Sequence, residues 1–182
     1  MPIGPGTYVF GPDNGTLSVL TKKGGAAAKA GHDLEIEVTR WSATLELGDS
    51  PTASLSADSR SFRVVSGSGG VSPLGDEEKA AIPQTIDDEV LKGTEIEFQS
   101  SRVDVDARGH TVDVEGELEL FGERRSVSFR LNIGFNGRMA GSAHVTQSEW
   151  GIEPYTALFG TLKVADEIEV AIRADTRSQK DG

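Results

Sequence analysis

Side-chain character along this chain repeats every two residues almost from end to end, and few properties restrict a fold more. Successive side chains of an extended strand point to opposite faces, so alternation of apolar and polar residues marks strands with one face in a core and one in water. Leu17 and Val19 alternate with Thr16 and Ser18, and Leu34, Ile36 and Val38 alternate with Glu35 and Glu37. Trp41, Ala43, Leu45 and Leu47 continue the same period, so this stretch reads either as a hairpin or as one long strand bent around Thr39-Arg40. Further strands are expected over 54–65, 95–107, 111–120, 125–135, 138–148 and 167–174. Their joins carry turn residues: Arg108-Gly109-His110, Phe121-Gly122-Glu123 and Asn136-Gly137. Short joins make neighbouring strands antiparallel, and this many strands must close on themselves or split into two sheets to hide their edges. The expected fold is all-β, a barrel or a sandwich.

One segment departs from the period. Asp76-Glu77-Glu78 opens a stretch in which Ile82, Ile86, Val90 and Leu91 fall at helical spacing, and carboxylates suit the positive end of a helix dipole. Pro83 is tolerated in a first turn, which predicts a second short helix from Pro83 to Leu91, ended by Gly93. The preceding Ser66-Gly67-Ser68-Gly69-Gly70 is a flexible join inside one domain, too short for an interdomain linker.

Charge excludes one class of partner. With 18 Lys and Arg against 29 Asp and Glu, a net charge of −11 repels phosphate backbones, so no nucleic-acid partner is expected. Cysteine is absent, which removes thiol nucleophiles, thiolate metal sites and disulfides. Three scattered histidines supply no metal-ligand spacing, so no metal or other cofactor is expected. The first residues, Met1-Pro2-Ile3-Gly4-Pro5-Gly6, have neither the basic start nor the apolar run of a secretory signal, and the expected location is cytoplasmic. No apolar run reaches the ~18 residues of a membrane-spanning helix, although transient contact with a membrane stays open. A symmetric homodimer is a fair expectation for a soluble domain.

Catalytic readings are thin. His32-Asp33 precedes an alternating strand and places an imidazole beside a carboxylate at a barrel mouth, yet adjacent strand residues point apart, so a structural or ligand-orienting role stands above acid–base catalysis. His110 falls in a turn, and His144 lies in a strand with no partner evident from spacing. There is no Gly-x-Ser-x-Gly elbow, and the glycines of 67–70 lack a phosphate-loop lysine. No catalytic residue is assigned. The inward apolar residues have two readings: they fill the interior, or they line a hollow, since a barrel of about eight strands is near the size at which either occurs.

Four stretches in order resemble the YceI-like family. They are Ala30-Gly31-His32-Asp33-Leu34; Thr85 to Leu91 followed by Ile96-Glu97-Phe98-Gln99-Ser100; Leu118 to Val127; and Gln147-Ser148-Glu149-Trp150-Gly151-Ile152-Glu153-Pro154 with the segment from Phe159 to Ile168. The Arg-Asp-x-His-Leu pattern that many relatives carry before the position of Ile96 is missing. The resemblance implies an eight-stranded antiparallel lipocalin-like β-barrel with a short helical insertion, a single domain over 6–176 with flexible ends at 1–5 and 177–182. It also implies transport or storage of a polyisoprenoid, an isoprenoid quinone or a fatty-acid-like amphiphile inside the barrel. The expected ligand contacts are then His32 at the mouth, Leu34, Ile36, Trp41, Leu45, Phe62, Phe98, Phe129 and Leu131 on the wall, and Trp150 and Phe159 from the C-terminal stretch. Two other functions compete: an interaction or stress-response barrel with a packed core, and an enzyme using His32.

Overall fold

The structure is a computed structural model of the whole chain, and it describes residues 1–157 and 162–179. Eleven strands form one curled sheet: β1 (Gly6–Phe10), β2 (Gly15–Thr21), β4 (Asp33–Val38), β5 (Trp41–Leu47), β6 (Thr52–Ala57), β7 (Phe62–Ser68), β8 (Ile96–Val105), β9 (Thr111–Leu120), β10 (Glu123–Ile133), β11 (Arg138–Thr146) and β14 (Glu167–Asp175). A small second sheet holds β3 (Lys23–Gly24), β12 (Thr156–Ala157) and β13 (Leu162–Val164). All pairings among the described residues are antiparallel.

The all-β antiparallel expectation holds, but the count of eight strands in a closed barrel does not. The large sheet runs β1-β5-β6-β8-β9-β10-β11-β14-β2-β4-β7, a half-barrel with β1 and β7 at its two edges. The extra strands have a physical origin in interrupted strands. Residues 34–47 do not form a hairpin: β4 pairs with β2 and β7, and β5 pairs with β1 and β6, so the stretch is one course of chain bent at Thr39-Arg40. The expected strand 54–65 likewise divides into β6 and β7. Between them Asp58 to Ser61 turns inward on itself, with Ser61 N–H donating to Asp58 O (3.0 Å) and Ser61 Oγ donating to the same oxygen (2.7 Å). The corner is tied to the facing bend by Thr39 N–H donating to Ser61 O (2.8 Å) and Asp58 N–H donating to Arg40 O (3.0 Å). Ser59 and Ser61 are buried there, and Ser61 Oγ accepts Arg40 N–H (3.0 Å). The chain itself, running from β4 into β5 and from β6 into β7, is what links the two ends of the sheet.

Turn chemistry fixes the register of the hairpins. Leu120 pairs with Glu123 across Phe121 and Gly122, both at positive φ (54° and 75°), as a two-residue hairpin twisting with its strands requires. In the β8–β9 turn Asp106 accepts the N–H groups of His110 and Thr111 (both 2.7 Å) and of Arg108 (3.1 Å), and these bonds, led by Thr111, lower its carboxyl pKa.

The helical insertion is one continuous run and not two helices. Helix α1 (Asp76–Thr85) takes Pro83 into its interior, and residues Ile86–Leu91 continue as a π-helical turn. Lys92, in the left-handed region at φ 53°, ends the run one residue before Gly93. Acidic side chains do occupy its first turn.

Inward-facing residues divide along the axis of the curled sheet. At one end Ile3, Trp41, Leu47, Val103, Val112 and Ile133 pack into a solid plug. Ile3, within the N-terminal segment expected to be flexible, is buried, and its N–H donates to Gly109 O (2.8 Å). Towards the other end Leu91, Leu120, Val145, Trp150 and Ile152 form a second cluster against the helical insertion. The space between is not filled.

Candidate functional site

Between plug and insertion lies a cavity of about 620 Å³ with an almost wholly apolar wall. Its sides come from alternate residues of the curled sheet: Leu17 and Val19 on β2, Leu34 and Ile36 on β4, Phe98 on β8, Phe129 and Leu131 on β10, and Ile168, Val170 and Ile172 on β14. Ala81, Ile82, Thr85, Ile86 and Val90 close it from above. Period two puts these side chains on one face, and curvature turns that face into a wall. The volume falls within the ~300–1,000 Å³ typical of small-molecule sites.

Eight of the expected contact residues line this space: His32, Leu34, Ile36, Leu45, Phe62, Phe98, Phe129 and Leu131. Phe98 and Phe129 meet there as a tilted pair, with ring centroids 5.4 Å apart at 59°. Trp41 and Trp150 do not line it. Trp41 belongs to the plug, and Trp150 is 1% exposed, packs in the second cluster and donates its indole N–H to Leu118 O (2.9 Å). Both were recognisable as core; which level of the tube each occupies depends on strand stagger that one sequence does not display. Phe159 lies outside the described residues. The wall residues of the helical insertion were missed as a group, although Ile82, Ile86 and Val90 carried a helical apolar stripe.

His32 and Asp33 part company as strand geometry requires. His32 Nε2 is 2.8 Å from Ser72 O, and because a carbonyl only accepts, this nitrogen carries the proton. Asp33 turns away, accepting Lys23 N–H (2.9 Å) and lying 3.7 Å from Lys22 Nζ. His110 Nδ1 faces Ile133 O (3.2 Å), and His144 pairs with Glu167 (2.8 Å) on the outside. Among the described residues no three His, Asp or Glu side chains gather as a metal-ligand group. No described helix is long and apolar enough to cross a membrane.

Comparison with known proteins matches a family model described as a YceI-like domain over residues 26–176. The chain belongs to the YceI-like family. A search of curated proteins returns no match. Among solved structures, BcnA of Burkholderia cenocepacia is similar at 18% identity and a TM-score of 0.62, covering 87% of this chain and 94% of that one. The YCEI protein of Campylobacter jejuni is similar at 12% identity and a TM-score of 0.52, covering 76% and 81%. At these identities the likeness is one of fold. The YceI-like fold here therefore comprises the curled antiparallel sheet, the short helical cover and the hollow between them.

Proposed function

We propose that this YceI-like protein holds a long apolar or amphiphilic chain, such as a polyisoprenoid, an isoprenoid quinone or a fatty-acid-like molecule, for transport or storage, and that it is a binder with no catalytic activity. The observation that carries the reading is the 620 Å³ apolar cavity beneath a helical cover. Each methylene moved from water into such a lining contributes about 0.8 kcal/mol, so a chain of several prenyl units gains more than enough to offset its ordering. Leu34, Ile36, Leu45, Phe62, Phe98, Phe129 and Leu131 would meet the tail, and His32 would face the polar end. A packed interior, the competing reading, leaves no place for a hollow of this size.

The test is to purify the protein from a bacterial host, extract it with organic solvent and identify co-purified lipids by mass spectrometry, then to titrate N-phenyl-1-naphthylamine into delipidated protein. A stoichiometric lipid, or saturable enhancement of the probe's fluorescence that prenyl lipids reverse, is the expected result. An empty extract together with no probe binding overturns the proposal.

A further inference from the structure

The inward series on neighbouring strands change character at the same end of the cavity. On β2 the series runs Leu17, Val19, Thr21 and continues to Lys23 in β3; on β4 it runs from Ile36 and Leu34 back to His32; on β11 it runs from Val145 to Gln147 just beyond the strand. In the sheet order β11-β14-β2-β4 these three strands lie close together, so their polar ends form one arc on the rim. Lys163 of β13 joins the arc because β13 pairs with β3, where Val164 stands opposite Lys23.

Two features make this arc a ligand site and not simply a wet edge. Thr21 is 8% exposed, lines the cavity, and its hydroxyl oxygen has no hydrogen-bond partner. A buried hydroxyl without a partner is costly and rare; the oxygen is turned away from the cavity that Thr21 lines, and rotation about χ1 would bring it to a polar ligand atom there. Lys23 and Lys163 form no ion pair among the described residues, in a chain where acidic groups outnumber basic ones by 29 to 18. Lys23 is half-buried, with its ammonium held against Gly69, whose φ of +84° and missing side chain leave it room. Among the described residues the other acidic group lining the cavity is Glu78, exposed on α1; Asp33, next to the rim residue His32, is already engaged by Lys22 and by the Lys23 backbone.

From this we infer that the polar end of the bound amphiphile is an anion, a carboxylate or a phosphate, held by Lys23 and Lys163 with Thr21 donating its hydroxyl hydrogen. The inference rests on the carrier reading above and narrows its ligand class. Two ammonium groups against one free carboxylate favour an anionic head over a neutral quinone or alcohol and over an amine, because charge-assisted hydrogen bonds are roughly twice as strong as neutral ones.

Displacement of N-phenyl-1-naphthylamine by chains of matched length tests it: palmitate, hexadecanol and hexadecylamine in one arm, farnesyl phosphate and farnesol in the other, all below their aggregation limits. The expected result is that the anion binds at least about tenfold more tightly than the alcohol in at least one arm, with the amine weakest. The arm showing the larger ratio identifies the head as carboxylate or phosphate. In the double variant Lys23→Met and Lys163→Met the anion-to-alcohol ratio falls to near one, and Thr21→Val, which keeps shape and fold, reduces it in part. Equal binding of anion and alcohol in both arms overturns the inference while leaving the carrier reading intact, as does a ratio that survives the lysine substitutions in protein of unchanged circular dichroism. Failure of the probe and of every chain to bind overturns both.

Discussion

Gly116 stands in the middle of β9 on its inward face, and a β-carbon there would meet Phe98 Cζ at 2.6 Å and Ser100 Cα at 2.8 Å, with the Gln99 carbonyl oxygen closer still. The contact coincides with a break in the β8–β9 register between Ser100 and Arg102. Gly116 is therefore a steric allowance that lets Phe98 reach Phe129 across the cavity wall. Gly116→Val is expected to lower stability by about 1–3 kcal/mol, read as a shift in the urea midpoint, and to weaken binding of apolar probes because Phe98 is displaced into the cavity. Near the C-terminus, Asp175 accepts Arg177 N–H (2.9 Å) and pairs with its guanidinium (3.0 and 2.8 Å), and these bonds pull its carboxyl from 3.8 to about 2. The depressed pKa means the ionised form is favoured by folding. Its contribution is fully present above the unfolded value of 3.8, fades as pH falls from there, and is gone below about 2. Thermal melts of wild type and Asp175→Asn should thus differ at pH 5 and converge as acid approaches pH 2; a difference independent of pH would rule this assignment out.

At the level of elements, the helical insertion is the least anchored part of the cavity. No residue of α1 is fully buried, and in the turn that follows only Leu91 is. Ala81 and Ile82 face the hollow, and Ile86 and Val90 line it while packing only at the margin of the second cluster. Segments with few buried apolar contacts open at low free energy. A bound chain supplies the missing contacts, so amide exchange over 76–91 should slow by at least about tenfold on loading with a lipid identified by extraction, while β9 and β10 change little. Equal exchange with and without ligand would remove this cover from the binding account. Elements such as β9 and the Phe121-Gly122 turn were legible because period and turn chemistry are local. The corner at 58–61 was not, since its turn is held by hydrogen bonds to Thr39 and Arg40 some twenty residues away. Pro83 also misled: it sits in the body of α1, where its ring forgoes one backbone hydrogen bond, and not at the start of a second helix.

Across the whole molecule, the sequence revealed a set of inward residues but not how they divide between plug and wall. Trp41 and Leu45 sit four residues apart on β5 and are equally apolar, yet one seals the floor and the other faces open space. That division depends on the tilt of every strand relative to the axis, a property of the complete sheet. The small residues Ala43, Ala53 and Ala143 lining the cavity help to keep it open, and a larger side chain at one of them separates stability from function. Ala143→Phe adds apolar burial without displacing packed atoms and should raise the melting temperature of the delipidated protein, in line with the ~0.5–2 kcal/mol typical of cavity filling. Wild type at ligand concentrations about 100-fold above Kd gains roughly 2.7 kcal/mol by mass action, which for a domain of this size is a rise of about 5–10 °C. In the filled variant that ligand-induced rise should shrink to a small fraction, because the space the tail would occupy is taken. A variant that is both less stable when empty and equally stabilised by ligand would mean that Ala143 does not border the occupied space, and that the tail runs along another part of the wall.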